Sequence, residues 1–570
     1  MDTFQIIFSR KLAEALAALQ LPPAGDVTPA TDPRFGDYQT NAALVLAKQR
    51  GENPRELAAK IVAALQVDDW AETPTIAGAG FVNFKLRPAV MARQADQLLR
   101  DNRLGVAQTE SPRRIVIDFG SPNVAKPMHV GHIRSTVLGD ALARIATFLG
   151  HNVIRDNHIG DWGTQFGMVI YGWKNFLDRE ALAKDPIAEL VRIYKAANER
   201  VTADPAVRDA CRQELVKLQA NDPENFSIWK QSVDLSLQEF ERAYKVLDIH
   251  YDMQRGESFY NDRLPGVVER LLQSKIAEMS EEAVCVFFRD IPELGDKPCI
   301  VRKRDGGYNY ATTDIATVDY RIQDLKADTV WIVTGAPQIL HFKQIFEIAR
   351  REGFTADFRH ITNGSILGED RKLMKTRSGE NVPLRDVLDE ARVRARKIVE
   401  EKNPDFTATE TTDIAHAIGI GAVKYADLSQ YRMTDYVFSW DKMLSFQGNT
   451  APYLQNAYVR IRSIFRKAGE VWDATTQSPI VLTEPAEINL AKRVAQFAEV
   501  VPQVLNDFRP NLLANYLFEL ANSFHAFYEA CPVLKSDEPV RGSRLALSEL
   551  TARVLQKGLD LLGIKVPEKM

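Results

Sequence analysis

The run from Arg113 to Gly167 restricts the possible folds more than any other stretch. Arg114-Ile-Val-Ile-Asp-Phe119 is short, apolar and β-branched, as a buried strand is. Gly120, Pro122 and Pro127 break that pattern, so Gly120 to Met128 reads as a loop. From Val130 to Leu149, Ile133, Val137, Leu138, Leu142, Ile145, Ala146 and Leu149 recur at helical spacing, and Gly150 stops the helix. His151-Asn-Val-Ile-Arg155 reads as the next strand. Strand, loop, helix and strand make one βαβ unit, with a polar loop at the carboxyl end of its first strand. Open α/β sheets bind ligands there, and a helix amino terminus favours anions.

That loop ends in His129-Val-Gly-His132. Gly131 admits a ligand close to the backbone. His129 and His132, three residues apart, face one side of the first helical turn. Imidazole N–H groups aimed at phosphate stabilise a pentacovalent phosphorus, and Lys126 adds a full charge just upstream. Histidines at this spacing also suit a metal, though no third ligand stands out, or serve the fold alone. The tetrapeptide by itself leaves all three readings open.

At 570 residues the chain has room for about three or four domains. Lysine and arginine number 72 against 76 acidic residues, net −4, so no global basic field advertises nucleic acid; RNA contacts must come from local patches and shape. Cys211, Cys285, Cys299 and Cys531 form no Cys-x-x-Cys pair, which argues against a zinc ribbon or a disulfide framework and fits a reducing cytoplasm. The amino terminus lacks a basic start followed by an apolar core, and no stretch approaches the roughly 20 apolar residues of a membrane span. A soluble, cytoplasmic chain is expected.

Periodicity divides the remainder. Phe4 to Leu19 is an amphipathic helix, Asn53-Pro54 opens another to Ala64, and Phe81 to Leu86 is a strand. Residues 174 to about 250 carry three helical patterns, Ile187 to Val201, Ala206 to Ala220 and Ser227 to Val246. Ala283 to Phe288 and Cys299 to Lys303 read as paired strands. Thr329 to Thr334 and Arg359 to Asn363 read as further core strands, the first ending in polar residues that include Gln338 and His341. From about Asp386 the chain is helical, with long amphipathic stretches at Leu490 to Leu505, Leu512 to Ala530 and Gly542 to Leu562.

Ser121-Pro-Asn-Val-Ala-Lys-Pro-Met-His-Val-Gly-His-Ile-Arg-Ser-Thr136, followed by Asn157-His-Ile-Gly-Asp-Trp-Gly-Thr-Gln-Phe-Gly167, resembles the class I aminoacyl-tRNA synthetases and, more narrowly, the arginyl-tRNA synthetases. The resemblance extends over essentially the whole chain. Gly368-Glu-Asp-Arg-Lys-Leu-Met-Lys-Thr-Arg-Ser-Gly379 resembles the second class I signature, Lys-Met-Ser-Lys-Ser, but no register reproduces it in full. Many arginyl enzymes depart in this way and keep a lysine three residues before the first signature histidine, here Lys126.

The resemblance implies an α/β Rossmann-type catalytic core with helical insertions, a small α/β amino-terminal domain and an all-α carboxyl-terminal bundle. Expected bounds are 1–110 for a domain that grips the tRNA corner at its D-loop, 111–445 for the core and 446–570 for an anticodon-binding domain. Insertions are expected at about 174–250, helical, and about 258–305, strand-containing. ATP with Mg²⁺ and L-arginine would be substrates and tRNA(Arg) the acceptor, with no prosthetic group, no zinc site, no membrane partner and a monomeric state.

By carry-over, His129, His132, Lys126 and Lys375 are catalytic, and with Gly131, Met374 and Arg377 they hold ATP. Asp118, Asn123, Glu257, Tyr310, Asp314 and Gln338 bind arginine. A guanidinium needs planar, bidentate acceptors. Asp314 and Tyr310 are assigned to it, and Glu257 or Asn123 to the α-ammonium. Phe35, Tyr38 and Gln39 would meet the tRNA corner, and Tyr453, Tyr458, Arg460, Arg462 and Met570 the anticodon, as surfaces on which splayed bases stack. For each aromatic, a place in the core is the competing reading. Bound tRNA is expected to be required before arginine is activated. A small-molecule nucleotidyltransferase shares the His-x-Gly-His fold but is usually one compact domain. A non-catalytic RNA-binding relative would not need the intact histidine pair.

Overall fold

The computed structural model describes residues 2–32, 34–295, 297–375, 381–469 and 479–570. Five runs pair as one parallel sheet: β1 (Arg114–Phe119), β2 (Asn152–Ile159), β3 (Met253–Gly256), β4 (Thr329–Gly335) and β5 (Asp357–Asn363), in the order β5-β4-β1-β2-β3. The chain leaves β1 towards β2 and β3, then returns to build β4 and β5 on the opposite side. The order therefore reverses between β1 and β4, and the crevice outside their carboxyl ends is where such a sheet takes ligands.

Helix α1 (Gly131–Phe148) crosses from β1 to β2, and nearly every residue from Ile133 to Ala146 is buried. It lies between the sheet and the carboxyl-terminal bundle, so it has no wet face. A Cβ on its Gly139 would stand 2.2 Å from the Phe119 ring; the glycine lets α1 rest directly on β1. Two further helices matter for the site: α2 (Tyr310–Gln323), and α3 (Ile339–Arg351) between β4 and β5.

The helical insertion contains Pro186–Ala203, Pro205–Gln219 and Pro223–Val246. Each starts at an Asp-Pro pair, Asp185-Pro186, Asp204-Pro205 and Asp222-Pro223: the carboxylate caps free N–H groups and the proline, which has none to cap, takes the first position. The second insertion is a helix, Leu264–Gln273, followed by a three-stranded antiparallel sheet, Ala277–Ser280, Ala283–Val286 and Cys299–Arg302.

The amino-terminal part is a four-stranded antiparallel sheet with the helices Phe4–Ala18, Ala42–Arg50 and Pro54–Ala64, followed by Pro88–Arg100. It docks on the carboxyl-terminal bundle. Lys492 pairs with Asp37 at 2.9 Å, the Gln5 N–H donates to Glu499 at 3.1 Å, and the Tyr38 hydroxyl donates to the same carboxylate at 2.8 Å. This corrects the expectation for Tyr38. Its ring is fully buried against Phe4 and Phe8, so it has no face for a base. Burial also pushes the Glu499 carboxyl up to about 7, against the pull of those two hydrogen bonds.

The stretch from Leu490 to Leu505 is two helices, Pro485–Ala495 and Phe497–Asp507, joined at Gln496. The second of them carries Glu499, which meets Gln5 and Tyr38 of the amino-terminal part. Pro510–Ala530 and Val540–Leu561 complete the bundle with Ala451–Ala468. Among the described residues no helix is long and apolar enough to cross a membrane.

Candidate active site

Loops at the carboxyl ends of β1 and β2 are bonded to one another. Val124 N–H donates to the Gly160 carbonyl and Gly160 N–H to that of Pro122, both at 3.0 Å. Asn123, Lys126 and Gly131 are exposed along this rim, and His129 and His132 are partly buried.

The two imidazoles lie 4.0 Å apart, centroid to centroid. Gly131 N–H donates to His129 Nδ1 at 3.2 Å, and His129 N–H points at His132 Nδ1 at 3.1 Å, closer than the His129 carbonyl at 3.3 Å. His129 Nδ1 thus accepts, which assigns its proton to Nε2, while His132 Nδ1 lies between a backbone donor and a backbone acceptor of His129. Burial pushes the His132 pKa down to about 3, with His129 adding to the effect, and burial lowers His129 as well. At neutral pH the pair is two uncharged N–H donors fixed at a helix amino terminus. A Cβ at position 131 would stand 2.9 Å from His129 Nδ1, so Gly131 also makes room for that ring.

The second-signature loop starts as a tight turn, Gly368 N–H to the Lys372 carbonyl at 2.8 Å, with Leu367 opposite Leu373 and Lys375 opposite Asn381. Met374 is half-buried and Lys375 exposed. Arg377 lies outside the described residues. Beyond the loop the chain returns to the first signature: Val130 N–H donates to Val382 and Leu384 N–H to Met128, each at 2.8 Å. The Lys126 ammonium stands 6.0 Å from the centre of the Tyr194 ring, on the insertion helix.

On the other side of the crevice, α2 presents Tyr310 and Asp314. Asp314 Oδ2 accepts from His341 Nε2 at 2.6 Å, and its Oδ1 stands 3.9 Å from His158 Nε2. The exposed Tyr310 ring lies 4.8 Å from that of His341. Glu257, at the start of a short helix after β3, has its carboxyl pushed up to about 8 by burial, then by the charges of Asp314 and Asp161. Asp161 in turn accepts from the Ser258 N–H at 2.8 Å and hydroxyl at 2.6 Å. Gln338 is exposed ahead of α3.

Asp118 departs from expectation. Its carboxylate is buried and already bound to a guanidinium of the chain, Arg321 Nη2, at 2.6 Å, and it also accepts the Ser121 hydroxyl at 3.0 Å. Both of its oxygens already have partners within the chain. The residues left without a role by sequence reasoning are His158, Asp161 and Arg321. The signal for the first two was present, since polar side chains at the carboxyl end of β2 fall on the ligand edge. Arg321 has none: a single arginine seven residues beyond Asp314 looks like a solvated helix face.

In the bundle, Tyr458 is also a correction. It is 2% exposed and its hydroxyl donates to Glu568 at 2.7 Å. Arg462 is drawn to Glu549 at 2.7 Å. Arg460 is half-buried, as is Tyr453; it is bonded to His525 Nδ1 at 3.1 Å and lies over the Tyr528 ring. A groove of about 770 Å³ runs past Arg460, Arg466, Lys467, Lys535, Lys569 and Met570. Phe35 is 51% exposed and Gln39 half-buried on the amino-terminal part.

A nucleotide-type helix terminus at the switch point, histidine donors on it and a looped second signature strapped to it define a class I aminoacyl-tRNA synthetase. The model of the class I (R) tRNA synthetase catalytic domain matches residues 94–440, the DALR anticodon binding domain 454–570 and the arginyl tRNA synthetase N terminal domain 4–86. The chain is similar to arginine–tRNA ligases of Synechococcus elongatus, 46% identical with 95% of each chain covered, and Chromobacterium violaceum, 46% identical with both covered in full. The crystal structure of the Plasmodium falciparum arginyl-tRNA synthetase superposes with a TM-score of 0.86 at 29% identity, over all of both chains. This chain belongs to the arginyl-tRNA synthetase family and is an arginine–tRNA ligase.

Proposed function

We infer that the chain charges tRNA(Arg) in two steps at the crevice between β1 and β4. The arginine carboxylate attacks the α-phosphorus of ATP, taken as its magnesium complex, and pyrophosphate leaves. The 2′-hydroxyl of the terminal tRNA ribose then attacks the carbonyl of the arginyl-adenylate, and AMP leaves. Neither step needs a protein nucleophile, so the rate enhancement rests on positioning and charge stabilisation.

His129 and His132 donate through Nε2 to the phosphates, while Gly131 and Met374 line the nucleotide site. Lys126, Lys375 and Arg377 offset charge on the leaving pyrophosphate. Asp314 and Tyr310 take the guanidinium, and Glu257, Asn123 and Gln338 the rest of the amino acid. His341 bonds the Asp314 carboxylate at 2.6 Å, and His158 Nε2 stands 3.9 Å from its other oxygen. One observation carries this reading: burial and the charges of Asp314 and Asp161 push the Glu257 carboxyl up to about 8, and among the described residues no lysine or arginine forms an ion pair with Glu257 or Asp314. Arginine brings the two cations that the pocket lacks, a guanidinium for Asp314 and an α-ammonium for Glu257.

Residues 1–110 and 446–570 serve as the tRNA-binding parts, through Phe35, Gln39, Arg460 and Met570, around a core at 111–445. The chain acts as a cytoplasmic monomer and activates arginine only with tRNA bound. To test the reading, the purified chain is mixed with total tRNA, ATP and each of the twenty labelled amino acids. Arginine alone should become attached. Pyrophosphate exchange that proceeds without RNA and ignores arginine would favour a small-molecule nucleotidyltransferase instead.

A further inference from the structure

Arg321 lies in the last turn of α2, two turns beyond Asp314 and on the same face. It is 1% exposed. Its Nη2 donates to Asp118 at 2.6 Å and to Asp156 at 2.8 Å, and its Nε to Asp156 at 3.1 Å. Asp118 and Asp156 are directly opposed partners on β1 and β2. The fork therefore ties the helix that carries Tyr310 and Asp314 to both strands whose ends form the rest of the site.

Each carboxylate leads onward. Asp118 accepts the Ser121 hydroxyl at 3.0 Å, and the Ser121 N–H donates to Asn157 Oδ1 at 3.2 Å. Ser121 has φ +45°, a conformation that a side chain adopts only when held. That residue begins the loop to His129. Asp156 is followed by Asn157 and His158, which faces Asp314.

Fold stability alone does not account for three buried charges. Desolvating them costs about as much as their attraction returns, and apolar side chains of the same volume are often at least as stabilising. What apolar packing lacks is direction: a planar fork with two partners fixes both distance and rotation.

We propose that Arg321 is a positioning residue, which registers the amino-acid wall on α2 against the nucleotide loop from Ser121 to His132. The proposal rests on the assignment of those two walls given above. It requires that ligand binding, which each wall performs separately, be nearly independent of Arg321, and that the reaction between the two bound ligands depend on it.

Two variants test this. Arg321→Met combined with Asp118→Asn and Asp156→Asn removes all three charges and keeps the volume; Arg321→Lys keeps the charge and loses the fork. Dissociation constants for arginine and for ATP are measured at equilibrium, and adenylate formation is measured in a single turnover with tRNA present. Both constants should stay within about threefold while the rate falls about 100-fold in the neutral variant and at least about tenfold in Arg321→Lys. A rate loss no greater than the loss in affinity, an unchanged rate, full activity of Arg321→Lys, or failure of both variants to fold would overturn the proposal. Asp314→Asn is run alongside. If it leaves arginine binding untouched, the assignment of the walls has failed; if it weakens arginine while the Arg321 variants react at full rate, only the role of Arg321 has.

Discussion

The sheet edge and the flanking tRNA-binding parts treat their polar and aromatic residues differently. At the carboxyl ends of β1, β2 and β4, backbone topology delivers side chains into one crevice: His129 from the loop ahead of α1, His132 from α1, His158 from β2, Asp314 from α2 and His341 from α3. In the flanking parts, two of the four aromatics expected to meet tRNA are interior. Tyr38 and Tyr458 bury their rings and bond their hydroxyls to Glu499 and Glu568. An open α/β sheet has a place reserved for ligands, whereas a small sheet or a bundle must first fill its own core, and large rings do that.

The comparison breaks first at Asp314. Asp314→Asn should raise the dissociation constant for arginine by an amount worth about 3–5 kcal/mol, because it leaves a cation beside a neutral amide. ATP binding should barely change; titrations of each substrate decide it, and equal losses for both would mean the crevice is not divided as described. Next, His129→Ala or His132→Ala should raise the activation barrier by roughly 2–4 kcal/mol with little effect on arginine binding. Single-turnover rates at saturating substrate are the measurement, and an unchanged rate would return the pair to a purely structural role.

Glu257 sharpens the same side through pH. Its carboxyl is raised to about 8 by burial and by Asp314 and Asp161, so at pH 7 the empty pocket holds mostly its protonated form. Only the carboxylate attracts a cationic substrate. Arginine affinity should therefore rise by up to about tenfold per pH unit, or about 1.4 kcal/mol, until pH 8 and then level off. Stability runs the other way. A folded-state pKa above the ordinary 4.5 means the folded chain holds the proton more tightly, so this contribution is present below 4.5 and is lost as pH rises through about 8. Calorimetry in two buffers of different ionisation heat, with Glu257→Gln as the reference, measures the proton released when arginine binds; equal proton counts in both proteins would reject the assignment.

The smallest effects belong to the flanking parts. Phe35→Ala should weaken tRNA binding by about 1–3 kcal/mol through lost stacking, with stability unchanged. Tyr38→Phe should do the reverse, costing roughly 1–2 kcal/mol of stability for one buried hydrogen bond and leaving tRNA affinity alone. Filter binding and thermal melts on both variants separate the two roles, and a Tyr38 variant defective in tRNA binding would erase the contrast.

The elements most legible in the sequence were those with strong local signals. β1 ran over the same residues, Arg114–Phe119, as its apolar run, and the three helical patterns of the insertion fell on Pro186–Ala203, Pro205–Gln219 and Pro223–Val246. Three features were not legible, each for a non-local reason. The contacts that Glu499, just after the break at Gln496, makes with Gln5 and Tyr38 join residues 494 and 461 apart in sequence. Asp118 looked available because its partner, Arg321, lies on an element that joins it only in the folded sheet. The burial of Tyr38 needs Phe4 and Phe8 from a different helix. Side-chain identity told which chemistry was present, and the packing decided which groups were already spoken for.

The most direct test is a crystal of this chain grown with arginine and a non-hydrolysable ATP analogue. The guanidinium should lie within hydrogen-bonding distance, about 3 Å, of Asp314, with the nucleotide phosphates at His129 and His132 Nε2. Density that put either molecule outside the crevice between β1 and β4, or the guanidinium on Asp118, would contradict the account.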